Sequence, residues 1–307
     1  MKIEETVEEY EPFIDAHHHF WDLGRNNHPW LQQAPLADFR YGDYSALRRN
    51  YLPADLLGDM AGVVPCASVH VEAEWARPEC VEETRWLHKL AEQHALPTVI
   101  VAYAPLDAEN VGEVLGAQAA QPRVRGIRHK PAVTSSAQDM RRGAVGSMDD
   151  TSWRDGYALL GRHGLSFDLQ APWWHLEQAA DLAQDFPMTP LILNHAGLPA
   201  DRSAAGLAAW RKALAQLADL PNTAIKLSGM GQRGQPWPQQ ENIVLIREAI
   251  AIFGYSRCMF ASNFPVDSLV TTYPVLFATF QQAIASYSAK ERRALLQDNA
   301  RRFYRIP

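Results

Sequence analysis

The stretch from Phe13 to Asp22, FIDAHHHFWD, sets three consecutive histidines, His17, His18 and His19, behind a short apolar run. Imidazole ligates borderline ions such as zinc and exchanges protons near neutral pH, so a convergent pair is a candidate site. If the apolar run is a β-strand, side chains alternate along it. Asp15, His17 and His19 then share one face and His18 points the other way. Two imidazoles about 7 Å apart along a strand can close on one ion. The spacing also suits a histidine-rich strand end whose rings bond to backbone or water, and HxH alone does not separate the two readings.

Polar residues recur near the ends of other apolar runs. Alternation groups Ser68, His70 and Glu72, then Gly126 with Arg128, Asp168 with Gln170, and Lys226 with Ser228. Charges are seldom buried unpaired, so a ring carrying both signs calls for internal ion pairs or for a polyhydroxylated or anionic ligand. Glu72, Arg128, Asp168 and Gln170 are candidate substrate-binding residues on that basis, Arg128 foremost because its planar fork clamps a carboxylate or two hydroxyls. Lys226 could stabilise a developing oxyanion, although an ion pair to Glu72 or Asp168 would look the same in sequence. Trp21, Trp30, Trp173, Trp174 and Trp237 fall mostly in expected loops after strands. As a group, Trp174 included, they offer stacking faces for a sugar-like ring; ordinary packing accounts for any single one.

These residues need strands to aim them. Eight short apolar runs recur: FIDAHHH, CASVHVEAE, TVIVAYAPL, VRGIRH, LSFDLQ, PLILNHAG, NTAIKLSG and CMFASNF. Helical patterns separate most of them, such as Pro78 to His94, Trp173 to Ala183 and Gly206 to Leu220. Strands that are nearly all apolar and alternate with helices predict a parallel sheet closed into a single (β/α)₈ TIM barrel. An open doubly wound sheet fits less well, because no GxGxxG follows the first strand. The segment from Trp21 to Pro53 is long for a connection and is expected to fold over the mouth as a lid.

At 307 residues one domain over 1–307 is expected, with 1–12 as an N-terminal extension. A net charge of -6 and the absence of a basic run argue against nucleic acid or an anionic membrane as partner, leaving a small-molecule substrate and allowing a homo-oligomer. Three cysteines without CxxC spacing suit a reducing compartment. The acidic start lacks a signal-peptide core, so a soluble cytoplasmic protein is expected.

Taken together, DAHHHFWD, RGIRH, LNHAGLP, KLSG and FASNFPVD resemble the strand ends of the amidohydrolase superfamily, specifically its lactonase-like branch. The resemblance spans nearly the whole chain. It implies a first-strand pair, His17 and His19, facing a sixth-strand histidine, His195, and an eighth-strand aspartate. Relatives commonly read SDWP at that last position, whereas this chain reads SNFP with Asn263.

A neutral amide donates and accepts hydrogen bonds but is no base near neutral pH. Three repairs are open: a metal lowers the pKa of water, His195 takes the proton, or Asp267 supplies the carboxylate. Asp267 also has a plainer reading, which Asp's strong preference for helix starts favours: it caps the helix that follows it. The resemblance implies His17, His19 and His195 as metal ligands, with one weakly bound divalent ion, zinc by ligand type, or none at all. The leading expectation is hydrolysis of a small polar lactone, a sugar lactone or a carboxylated one. Amide hydrolysis, decarboxylation and a non-catalytic binding barrel are the alternatives.

Overall fold

The computed structural model describes residues 10–36 and 38–307, so residues 1–9 of the expected N-terminal extension lie outside the described residues. Eight parallel strands pair in chain order: β1 (Ile14–His18), β2 (Ala67–Val71), β3 (Val99–Tyr103), β4 (Val124–Arg128), β5 (Ser166–Leu169), β6 (Leu191–Leu193), β7 (Thr223–Leu227) and β8 (Cys258–Phe260). The ring closes where His18 bridges Phe264, just beyond β8. There the His19 N–H donates to Phe264 O at 2.8 Å and the Asn263 N–H to His17 O at 2.7 Å. The barrel expected from the alternation of apolar runs is the observed fold.

A helix follows each strand: α1 (Pro53–Met60), α2 (Cys80–His94), α3 (Val111–Ala119), α4 (Thr151–Arg162), α5 (Leu176–Asp185), α6 (Ala204–Ala218), α7 (Gln239–Phe253) and α8 (Tyr273–Ile284). Local chemistry fixes their starts. The Asp150 side chain accepts from Ser152 N–H at the start of α4, and Ser203 does so from Gly206 N–H at the start of α6. Two apolar layers result. Ile14, Ala16, Val69, Val71, Val101 and Met259 cluster inside the barrel with Tyr304 and Ile306 from the C-terminus. Phe167, Leu169, Ile225, Leu227 and Phe260 pack in the larger cluster shared with the helices. Each fully buried side chain of this kind contributes about 1.5–3 kcal/mol. Among the described residues, no helix is long and apolar enough to cross a membrane.

The segment between β1 and α1 covers the C-terminal ends of the strands, as its length suggested. Trp21 and Tyr51 exchange backbone hydrogen bonds of 2.9 Å, which clamp its two ends together. Trp30 stacks on Phe39 within it, and the Tyr41 hydroxyl donates to Asp267 Oδ1 at 3.0 Å, tying it to the loop after β8.

Simple alternation fails at two strands. The β1–β2 register shifts between Asp15 and His18, and Asp15 leaves the face it was expected to share with His17 and His19. It accepts instead from Ser262 Oγ (2.6 Å) and the Tyr273 hydroxyl (3.2 Å), and burial pushes its pKa up to about 6. In β2 the valines fill the lumen, so Ser68 and His70 turn toward the helices rather than the mouth. Ser68 Oγ bonds His18 Nε2 at 2.9 Å, and His70 Nε2 lies 3.6 Å from Glu83 of α2.

Candidate active site

A chamber of about 350 Å³ opens at the mouth, lined in part by His19, His195, Asn263, Arg40, Arg128 and Gln170. His17 is buried behind these two histidines, its ring centroid 4.9 Å from that of His19 and 4.7 Å from that of His195. Three imidazoles from β1 and the end of β6 therefore meet, and His18 points away, as alternation required. Burial lowers the pKa of all three well below the usual histidine value. Nearby cations add to this: Lys226 beside His17, Arg128 beside His19 and Arg40 beside His195.

His195 is aimed by an unusual turn. After β6, His195, Ala196 and Leu198 all have left-handed backbone, with φ of 56°, 51° and 55°. Each such residue costs about 1–2 kcal/mol, strain that tends to collect at functional positions. The turn leaves His195 Nδ1 3.0 Å from Ser228 Oγ, just beyond β7. Gly229 follows with φ of 64°, and a Cβ there would lie 2.6 Å from His195 Cβ. Only glycine fits against the histidine.

Asn263 also has left-handed backbone, φ 59°. Its Nδ2 donates to Asp267 Oδ1 at 2.6 Å, which leaves Oδ1 of the amide for the chamber. Asp267 sits behind it, fully buried, accepting from the Tyr41 hydroxyl and, through Oδ2, from Gly229 N–H at 3.2 Å. Burial raises its pKa. The expectation that Asp267 caps the next helix is not met: Thr272 occupies the N-cap of α8, and Asp267 is held by the site instead.

The polar ring is largely self-paired. Arg128 Nε donates to Glu72 Oε1 at 2.6 Å, Nη2 to Glu72 O at 2.5 Å and Nη1 to Gln170 Oε1 at 3.2 Å, so its fork is already occupied. Lys226 Nζ lies 2.6 Å from Asp168 Oδ1 inside the barrel. Tyr304 donates to both Asp168 oxygens, at 2.9 and 3.0 Å. Lys226 and Asp168, expected near substrate, form a buried ion pair, the alternative the sequence left open, because pairing is how a lumen accommodates opposite charges. Trp174 stands one cavity away. It lines an adjoining cleft of about 580 Å³ and bonds Thr134 O at 3.2 Å, while Trp30 is the tryptophan that lines the chamber. Sequence reasoning missed Arg40, which lines both cavities; a lone arginine between the aromatics of FRYGDY in a long lid was the available clue.

The donor chemistry at the floor fits a divalent ion in part. Val71 O can only accept, so His19 Nδ1, 2.7 Å away, carries the proton and the Nε2 lone pair is left free. That Nε2 faces His17 Nε2 at 3.2 Å, and His17 Nδ1 is buried without a hydrogen-bond partner. Two convergent imidazole nitrogens suit zinc. Among the described residues, however, no group of three or more His, Cys, Asp and Glu side chains forms a complete ligand cage.

The barrel carries a hydrolase, and the chain is a member of the amidohydrolase family, whose model matches residues 14–306. It is 37% identical to the uncharacterized protein y4mH of Sinorhizobium fredii, over 95% of this chain and 98% of that protein. It is 31% identical to an L-fucono-1,5-lactonase of Burkholderia multivorans, over 96% of each chain. An amidohydrolase from Burkholderia multivorans, solved with bound zinc, shares the fold with a TM-score of 0.78 and 28% identity, covering 97% of this chain and 100% of that one.

Proposed function

We propose that the protein opens a small polar lactone by adding water across the ring ester bond. The observation that carries this reading is the meeting of His17, His19, His195 and the Asn263 amide around one chamber. Kinship with lactonases and amidohydrolases supports it.

In the tautomer whose Nδ1–H donates to Ser228 Oγ, 3.0 Å away, His195 Nε2 presents a lone pair to the chamber. Because burial keeps the ring neutral, it is in its base form at neutral pH. A water accepted between His195 Nε2 and Asn263 Oδ1 loses its proton to the imidazole as its oxygen adds to the lactone carbonyl. The tetrahedral oxyanion collapses, the bond from the carbonyl carbon to the ring oxygen breaks, and the imidazolium returns its proton to the leaving alkoxide. The product is a hydroxy acid. A low pKa helps the second half, since a strongly acidic imidazolium gives up its proton readily. Asn263 positions water, and Asp267 positions Asn263.

His17 and His19, with His195 beside them, would hold one divalent ion, zinc by ligand type. Such an ion would polarise the carbonyl and acidify water. Neutral ligands alone would hold it weakly.

A panel of sugar lactones and carboxylated lactones, followed by proton release and by product mass, tests this function. Ring opening with gain of one water is expected for at least one member, and no turnover across the panel would count against it.

A further inference from the structure

The chamber contains three cationic side chains, and two of them are spent. Arg128 has every guanidinium nitrogen engaged by Glu72 or Gln170. Lys130 is paired with Glu74. Asp38, an acid on the same wall, is paired with Arg233 at 2.9 Å.

Arg40 differs. Its Nη1 is buried with no hydrogen-bond partner, and Nη2 lies 3.6 Å from Asp267 Oδ1, beyond hydrogen-bond reach. Arg40 balances the charge of this buried carboxylate without a hydrogen bond, since Asn263, Tyr41 and Gly229 already donate to the two Asp267 oxygens. The guanidinium is nevertheless held in place, 4.5 Å over the ring of Tyr41, whose hydroxyl is fixed on Asp267. A preorganised fork with an unmet donor, on the wall that also holds His195 and Asn263, is built for a ligand oxygen pair.

We propose that Arg40 binds a carboxylate of the substrate, so that the lactone opened here is an anionic one; this rests on the lactone reading above. A carboxylate offers two charged oxygens at the spacing of the fork, whereas a pair of sugar hydroxyls offers two uncharged ones and the weaker hydrogen bonds. Arg40 stands where the chamber adjoins the larger cleft, so the carboxylate belongs on a substituent pointing from the ring toward that cleft.

The test compares a carboxylated lactone with its carboxamide, which keeps the ring and removes the charge. The native enzyme should favour the carboxylate by roughly 10–100-fold in kcat/KM, the scale of a charge-assisted hydrogen bond. Arg40→Gln should erase most of that preference by raising KM for the carboxylate, with a much smaller effect on the carboxamide. Arg40→Lys, which keeps the charge but loses the fork, should fall between. Equal use of both lactones by the native enzyme, or parallel losses in Arg40→Gln, overturns the proposal.

A calorimetric titration separates this proposal from the activity it rests on. A tetrahydropyran carboxylate and its amide cannot be hydrolysed as lactones. Binding of the acid to the native protein but not to Arg40→Gln, with no lactone opened, would keep the carboxylate site and discard lactone hydrolysis. Equal binding of acid and amide would discard the carboxylate site whatever the turnover.

Discussion

Asn263 gives its side-chain nitrogen to Asp267 across 2.6 Å, and that hydrogen bond settles what the asparagine can offer the chamber. One Nδ2–H is committed there, and Oδ1 is an acceptor that orients water and takes no proton. The residue where the resemblance led one to expect an aspartate is thus an acceptor backed by a buried carboxylate four positions on.

Exchanging these two groups tests the relationship. Asn263→Asp brings two carboxylates to hydrogen-bond distance in a buried site, where one must hold a proton. Its kcat/KM should fall by roughly tenfold or more, while Asn263→Asp combined with Asp267→Asn restores one charge and one donor and recovers part of the loss. Steady-state kinetics of the three proteins checks this, and a gain in Asn263→Asp would argue that the native pairing is not adapted for turnover.

Gly229→Ala should displace His195. The left-handed backbone alone costs about 1–2 kcal/mol for a residue with a Cβ. Gly234 has almost the same φ, 65°, and a methyl added there would meet nothing within 4 Å, so Gly234→Ala reports that backbone cost by itself. Melting temperatures should drop further for Gly229→Ala than for Gly234→Ala, and turnover should collapse only in the former. Equal behaviour would show that contact with His195 is unimportant.

Much of this was legible in the sequence because apolar runs record burial and alternate with helical patterns; eight of them gave the barrel, and HHH at the end of the first gave the corner. The misplacements have specific causes. Period-2 reasoning cannot see the register shift between Asp15 and His18, and it cannot tell which face of a fully buried strand looks into the lumen, which misassigned Ser68 and His70. Pairing is also silent in sequence. Lys226 with Asp168 and Arg128 with Glu72 look like free charges until the strands bring them to 2.6 Å. Arg40 was missed because a lid has no periodicity to aim its side chains.

Stability should fall on acidification. His17, His18, His19 and His195 have folded pKa values well below 6.5, and burial pushes that of His70 down to about 3. As pH drops below 6.5 the unfolded chain takes up protons that the folded chain refuses, so the stabilisation from these neutral rings is lost. Asp15 and Glu83 act oppositely: with pKa values raised to about 6 and about 7, each favours the folded state more as pH falls toward its ordinary value. Asp267, also raised by burial, acts with those carboxyls, and His28 and His129, both lowered by burial, act with the other imidazoles, so seven imidazoles outweigh three carboxyls. Scanning calorimetry should show the melting temperature declining below pH 6.5, and a rise there would contradict the buried neutral histidines.

Any divalent ion should leave easily. His17 and His19 would be uncharged ligands, and the acidic residue of the SNFPVD loop, Asp267, is turned to Asn263, Tyr41 and Gly229. After dialysis against a chelator, elemental analysis should find well under one ion per chain, and added zinc should bind to the native protein but not to His17→Asn. Stoichiometric metal that survives the chelator would point to a ligand set other than this one.

The most direct measurement is lactone hydrolysis by His195→Asn beside the native enzyme, with the melting temperature of each. His195 lies two residues beyond β6 and lines the mouth, where its truncation opens no large core cavity. Loss of a general base and acid costs about 10² or more in kcat/KM, and that loss with a melting temperature close to native is the predicted result. Near-native hydrolysis by the variant would contradict the role of His195, and a collapsed melting temperature would make it a structural residue.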